Sequence, residues 1–151
     1  MANPKRSGPL DNKSSEVGDY LLIVGTPDIK TYRRLRSISG LSEKTIEAAA
    51  RGLPNTIFAV TLVRYGETVG MGRIIGDGGC FYQITDIAVD PAHQGKGLGK
   101  KIMQALVDHL RATAPETAYV SLIADGPARH LYEKFGFEPT APASIGMALQ
   151  L

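Results

Sequence analysis

The chain has 151 residues, the length of one domain that can bury a hydrophobic core without disulfides or metals. Its 17 basic and 15 acidic residues leave a formal net charge of +2, which is too balanced to predict a nucleic-acid partner. Cys80 is the single cysteine, which excludes an internal disulfide and a cysteine zinc cluster.

The N-terminal residues 1–18 are polar and offer almost nothing to bury. We predict a flexible tail there, followed by a single domain over residues 19–151. No apolar stretch reaches the ~20 residues that span a bilayer, and no apolar run follows the basic residues Lys5 and Arg6. We therefore expect neither a membrane span nor a signal peptide, and we place the protein in the cytosol.

The domain is expected to begin with a strand from Tyr20 to Val24. Thr26 and Pro27 have the residue types of an N-cap and a first helical position. Apolar residues at spacings of three predict a helix after them. A second helix is expected from Leu41 to Ala50, ended by Gly52.

Three consecutive strands are expected at Ile57 to Arg64, Glu67 to Ile75 and Phe81 to Val89. The short glycine-containing turns between them predict antiparallel hairpins. A long helix is expected from Leu98 to Leu110, because its apolar residues keep the helical period. A strand from Ala118 to Ala124 follows it, and a strand, a crossover helix and a strand predict a parallel pairing.

The chain is expected to end with a helix and further strands. Asp125 and Pro127 have the residue types that open a helix, and Gly136 ends it. One or two terminal strands follow, of which Ile145 to Leu151 is the clearer. This order predicts an α/β (α+β) domain of three layers, with a mixed, mostly antiparallel sheet of six to seven strands flanked by about four helices.

The segment from Gln94 to Lys100 lies between the Val89 strand end and the long helix. Its alternating glycines are Gly95, Gly97 and Gly99. The first N–H groups of a helix lack intrahelical partners and attract anions, and glycines let the backbone approach a phosphate closely. The segment lacks the spacings of a P-loop and of a Rossmann fingerprint. A tight turn with solvated lysines describes these residues equally well when they are taken alone.

Two motifs resemble those of the GNAT superfamily of acyl-CoA-dependent N-acetyltransferases. Gln94-x-x-Gly97-x-Gly99 is similar to its Q/R-x-x-G-x-G/A motif, and the preceding Ile87-Ala88-Val89-Asp90-Pro91 resembles its cofactor-binding strand. The run from Leu131 to Phe137 resembles its second hallmark, on the last helix. The order of elements is also similar, so the resemblance covers residues 20–151.

The resemblance implies that acetyl-CoA is the cosubstrate and that no metal is needed. The fourth and fifth strands would splay apart, and main-chain groups of Ile87, Ala88 and Val89 would bind the pantetheine arm as an added strand. The Ile87 N–H would also polarise the thioester carbonyl. Asp125 stands where relatives often carry a polar residue that contacts the cofactor. The expected pyrophosphate set comprises Gln94, Gly95, Lys96, Gly97, Leu98, Gly99 and Lys100.

Tyr132 occupies the position where many family members place a general acid that protonates the departing thiolate. A phenol with a pKa near 10 is protonated at neutral pH and suits this role. Periodicity alone favours a packing aromatic on a stripe with Leu131 and Phe135. The resemblance reverses that reading, and it also places Tyr132 in contact with the cofactor.

A general base is needed, because an ammonium must lose a proton before it attacks. In a regular strand the face that carries Ile87 also carries Gln83 and Thr85, neither of which is a base. Asp86 lies on the other face, and a bulge would turn it toward the substrate. Asp86 is therefore a candidate catalytic residue, although a structural carboxylate bonded to loop amides is at least as well supported. Water held by Gln83 and Thr85 is the preferred proton route.

We therefore expect an N-acetyltransferase that acts by direct attack of a primary amine, with a small molecule as the preferred acceptor. A protein N terminus or a lysine stays open as the acceptor, and so does a non-catalytic acyl-CoA-binding module. A homodimer is also left open. Neither a nucleic acid nor a membrane is expected as a partner, since the basic cluster around Arg34 is too small.

Overall fold

The computed structural model describes residues 19–151, so the tail predicted over residues 1–18 lies outside the described part. Within it, five strands form one sheet in the order of the chain. The first four are antiparallel neighbours, and the fifth pairs in parallel with the fourth, as the crossover predicted. The strands are β1 Leu21–Val24, β2 Phe58–Arg64, β3 Glu67–Gly76, β4 Phe81–Val89 and β5 Tyr119–Ser121.

Helices cover both faces of this sheet. The four α-helices are α1 Ile29–Ile38, α2 Ile46–Gly52, α3 Leu98–Thr113 and α4 Arg129–Glu133. Single 3₁₀ turns lie at Leu53–Asn55, Pro91–His93 and Gly126–Ala128. Helix α3 packs on β2, β3 and β4, whereas α1 packs on the opposite face of β3 and β4 and contacts α2. The result is the predicted three-layer arrangement.

Both early helices begin later than the sequence predicts. Helix α1 is capped by Asp28, whose carboxylate accepts the Thr31 N–H at 2.7 Å, and not by Thr26. Helix α2 is capped by Thr45 rather than opened at Leu41. The side chain of Arg36 donates to the carbonyl oxygen of Ser42 at 2.7 Å. In a helix that began at Leu41, this oxygen would instead accept a main-chain N–H of the helix.

Two hydrophobic cores result, one on each face of the sheet. The larger core lies beneath α3 and includes Leu62, Ile74, Ile102 and Leu106, all fully buried. Gly72 lets α3 approach β3, because a Cβ there would lie 2.5 Å from Ile102 Cγ2. The smaller core lies beneath α1 and α2 and includes Tyr32, Leu35, Met71 and Ala88.

The prediction of six to seven strands is wrong for residues 19–151, since the C-terminal segment Ile145 to Leu151 forms no strand there. β5 is also shorter than the predicted Ala118 to Ala124, because its ladder with β4 ends at the Gln83–Ser121 pair. An alternating apolar pattern indicates local strand preference, but a strand also needs a neighbour that accepts its hydrogen bonds.

Candidate active site

A bulge interrupts β4 where it passes Gly72. Met71 pairs with Ala88 and Arg73 pairs with Thr85, so Gly72 faces the two residues Asp86 and Ile87. Asp86 has a φ of +58°, in the left-handed region. The bulge places Asp86 on the α1 side of the sheet, whereas Ile87 packs against the core beneath α3. The prediction that Ile87 shares a face of β4 with Gln83 and Thr85 is therefore wrong.

The Asp86 carboxylate is buried and fully engaged. Arg36 Nη1 donates to one of its oxygens. Arg73 Nη1 and the Tyr32 hydroxyl donate to the other at 2.6 and 2.9 Å. All three charged side chains are less than a tenth exposed. Burial first, and the neighbouring Asp86 charge second, raise the pKa of Tyr32 above its usual value. The partners of Asp86 are thus two guanidinium groups and a phenol, and not the loop amides expected for a structural carboxylate.

β4 and β5 separate beyond Gln83 and Ser121, and β4 continues to Val89 without β5 beside it. A cavity of about 530 Å³ lies at this fork. Its walls come from the α1–α2 loop, β4 and the segment from Leu122 to α4. The structure thus brings together, around one cavity, the predicted residues Gln83, Thr85, Asp86, Ile87, Asp125 and Tyr132.

Tyr132 reaches this cavity from α4, and it is half-buried. Burial first, and the charge of Asp125 second, raise its pKa above the usual 10.0, so the phenol is protonated at neutral pH. Asp125 is the N-cap of the 3₁₀ turn Gly126–Ala128 and makes no side-chain capping bond, whereas the N-cap of α4 is Ala128 and not the predicted Asp125. Gly136 ends the turn after α4 with a φ of +90°.

The glycine loop, residues Gln94 to Lys100, has the backbone of an anion site. Gly95 and Gly97 adopt φ values of +78° and +76°, and Gly97 is the N-cap of α3. The Lys101 N–H donates to the Gly97 carbonyl at 3.1 Å as the first bond of the helical ladder. The main-chain N–H groups from Leu98 to Lys100 come before that ladder, where a helix binds anions.

The two sequence motifs meet in the structure. The side chain of Gln94 donates to the Val89 carbonyl at 3.0 Å, which ties the glycine loop to the end of β4. A Cβ on Gly99 would lie 3.3 Å from Leu131 Cδ2, so this glycine lets α4 pack against the start of α3. The helix that carries Tyr132 is therefore held directly against the glycine loop.

Sequence reasoning missed a cationic cluster around Tyr20, beside the glycine loop. The Tyr20 hydroxyl accepts from Arg64 Nη1 at 3.0 Å and from Lys96 Nζ at 3.3 Å, and it lies 2.7 Å from His93 Nδ1. His93 is therefore half-buried and not solvated as a loop position would suggest. These partners are up to 76 residues apart, so no local pattern indicates the cluster.

The Asp86 network was also missing from the predicted site, apart from Asp86 itself. Its partners Tyr32, Arg36 and Arg73 come from α1 and β3. The signal that could have found them is the aspartate itself, since a carboxylate inside a buried strand requires cationic or hydrogen-bonding partners.

Residues 19–151 contain no cluster of three or more histidine, cysteine or acidic side chains that could hold a metal ion. No helix in this described range is long and apolar enough to cross a bilayer.

Comparison with known proteins defines the family to which this fold belongs. Residues 54–139 match the family model described as the acetyltransferase (GNAT) domain. The match covers more than half of the chain, so the chain belongs to the GNAT family of acetyltransferases. A probable acetyltransferase from meticillin-resistant Staphylococcus aureus has a similar crystal structure, with 46% identity and a TM-score of 0.84. That similarity covers 87% of this chain and 99% of the other.

Curated plant relatives are similar over a shorter range. GCN5-related N-acetyltransferase 2, chloroplastic, from Arabidopsis thaliana is 35% identical over 81 residues, which are 54% of this chain and 31% of that protein. Serotonin N-acetyltransferase 2, chloroplastic, from Oryza sativa subsp. japonica is 34% identical over 83 residues, 55% of this chain and 40% of that protein. The chain thus spans about a third of the length of these plant relatives.

Proposed function

We propose that this chain moves the acetyl group of acetyl-CoA to a primary amine by direct attack. The observation that carries the proposal is the proximity of three features along the part of β4 that has no β5 beside it. These are the open edge of β4, the glycine loop at the start of α3, and the protonated phenol of Tyr132.

Acetyl-CoA fits this fork by its chemistry. The open β4 edge at Ile87, Ala88 and Val89 offers main-chain groups to the amides of the pantetheine arm, as an added strand would. We assign the pyrophosphate to the glycine loop, whose N–H groups precede the α3 ladder and whose lysines add positive charge. Asp125 and Tyr132 line the cavity at the thioester end.

In the proposed reaction the amine lone pair attacks the thioester carbonyl carbon, and the Ile87 N–H polarises the carbonyl oxygen. A C–N bond forms as the C–S bond breaks. The departing thiolate takes the proton of Tyr132, and the nitrogen loses a proton to water. Solvent then returns a proton to Tyr132. The raised pKa of Tyr132 keeps it in the acid form that this step requires.

For the proton on the amine we propose a water route along Gln83 and Thr85, which both line the cavity. Asp86 lines it too, but its two oxygens already accept from Arg36, Arg73 and Tyr32. We therefore assign Asp86 to holding the bulge that turns Ile87 away from the α1 side.

The acceptor that we favour is a small primary amine. The cavity of about 530 Å³ is within the usual size range of small-molecule sites. The rice relative is named for serotonin, a small primary amine, which is consistent with this choice. A protein N terminus or lysine is the alternative acceptor. We keep the cytosol as the expected compartment, although two of the relatives are named chloroplastic.

Thiol release from acetyl-CoA in the presence of a panel of small amines, peptides with free N termini and lysine peptides tests the proposal. We expect release above background with at least one small amine, and its loss in Tyr132→Phe but not in Tyr119→Phe, whose ring lies on the exposed side of β5. Release with peptides alone would replace the small-molecule acceptor by a protein.

The rival function is a module that binds acyl-CoA without turnover. The observation in its favour is that the one carboxylate on β4 is occupied by two arginines, which leaves no free base there. Acetyl-CoA binding measured by calorimetry, with no thiol release across the whole panel, would support the module and overturn the transferase.

A further inference from the structure

The C-terminal arm, residues Ile145 to Leu151, is a strand-like segment without a strand partner in the part of the chain that the structure describes. Its large apolar side chains occur at every second position and are almost entirely exposed. The exposed fractions are 70% for Ile145, 88% for Met147, 86% for Leu149 and 116% for Leu151. The positions between them hold Gly146, Ala148 and Gln150.

This alternation is typical of a strand that buries one face. Seven extended residues reach about 23 Å, enough to line a sheet edge along its length. A row of four exposed apolar side chains in water is unfavourable, and such rows mark interaction surfaces. The sequence of the arm is therefore that of a strand whose partner lies outside the described part of its own chain.

The matching surface is the free edge of β5. β5 pairs with β4 on one side, and no strand in residues 19–151 pairs with its other side, so its N–H and C=O groups are open there. A cavity of about 510 Å³ lies next to β5. Its apolar lining comes from α3, β5 and the segment after α4, through Val107, Leu110, Val120, Leu122, Phe135 and Phe137.

The arm of the same chain does not fill this cavity. It leaves along Ile123, where a Cβ on Gly146 would lie 3.3 Å from Ile123 Cδ1, and its remaining apolar side chains are exposed. Residues 1–18 are a poor occupant, because their only large apolar residues are Met1, Leu10 and Val17, without alternation. The arm of another copy has the alternating apolar pattern that would match this apolar edge.

We propose that two copies of this chain exchange their C-terminal arms, each arm adding a strand to the β5 edge of the other copy. One chain carries both the arm and the edge that receives it, so a two-fold dimer satisfies both surfaces at once. Ile123, which the arm passes, also lines the catalytic cavity, so the exchange lies beside the acceptor site.

Sedimentation velocity at micromolar concentration gives the first test. We expect the full chain to sediment as a dimer, with twice the 16.2 kDa of one copy. Leu149→Asp places a charge on the buried face of each exchanged arm and should weaken the dimer by about 100-fold. Gln150→Asp adds the same charge to the other face and should leave the dimer intact. A monomeric full chain, or a dimer that Leu149→Asp leaves unchanged, overturns the proposal.

An isotope-filtered NMR experiment on a mixture of labelled and unlabelled full-length chains distinguishes exchange from a dimer of another kind. We expect intermolecular contacts between the methyl groups of Leu149 and those of Val120 and Leu122. Contacts only within a copy would show that the arm folds back on its own β5, and would overturn the exchange. This measurement decides the question even if Leu149→Asp fails to fold.

Discussion

The two sides of the proposed active site are built in different ways. The glycine loop is a local structure: about a dozen consecutive residues from Val89 supply the strand end, the turn glycines and the first amides of α3. The opposite side depends on Asp86, held by residues 13 to 54 positions away in the sequence. The first side works through main-chain atoms, so it needs backbone conformation. The second works through charged side chains, so it needs the tertiary fold.

The largest expected effect tests the Asp86 side. Asp86→Ala leaves two buried guanidinium groups without a carboxylate and should lower the free energy of unfolding by about 3–5 kcal/mol, as measured in urea. Tyr32→Phe removes one hydrogen bond to the same carboxylate and should cost about 1.5–3 kcal/mol. Unchanged stability with complete loss of turnover in Asp86→Asn would instead make Asp86 the base.

The next effect sharpens the assignment of Tyr132. Tyr132→Phe should lower kcat by about 100-fold, or ~2.7 kcal/mol, while the Kd for CoA changes less than twofold. Because burial raises the pKa of Tyr132, the acid form predominates at neutral pH and persists further into the alkaline range than in an ordinary tyrosine. Any fall in kcat from this group should set in at a higher pH than for an ordinary tyrosine, and it should be absent in the variant. An intact kcat would mean that another acid, or solvent, protonates the thiolate.

A smaller effect tests the main-chain side. Gly97→Val forces a β-branched residue into a φ of +76° at a cost of about 1–3 kcal/mol. Relaxation of the loop should weaken CoA binding more than tenfold while the domain stays folded. Gly78→Val is the matched control, since Gly78 has a φ of +78° in a hairpin turn and also faces open space. Equal CoA affinity in the two variants would contradict the pyrophosphate assignment.

The smallest expected effect concerns the cluster around Tyr20. Tyr20→Phe removes the hydroxyl that accepts a hydrogen bond from Lys96, a residue of the glycine loop. We expect a loss of about 1 kcal/mol in CoA affinity, measured by calorimetry. Tyr65→Phe is the control, because the Tyr65 side chain is exposed and its hydroxyl donates to Asp19 at 3.1 Å, away from the glycine loop. Equal affinity in the two variants would limit Tyr20 to a packing role.

Much of the fold follows from patterns of short range. The three hairpin strands agree with their predicted ends to within a residue or so, because glycine turns and strand alternation are local signals. The start of α1 was missed by two residues, since Thr26 and Asp28 are both good caps and only the observed bond to Thr31 distinguishes them. The predicted terminal strand was wrong, because no strand in residues 19–151 pairs with Ile145 to Leu151.

The sequence by itself determined the order of elements, the glycine loop at the start of α3 and the position of Tyr132 on the last helix, because each depends on residues close together along the chain. Only the tertiary structure decided that β4 bulges at Asp86, that Arg36 and Arg73 neutralise that carboxylate, and that Tyr20 gathers cations beside the loop. Charge pairs between distant elements depend on how those elements pack together. No periodic pattern in the sequence indicates which charged side chains will meet.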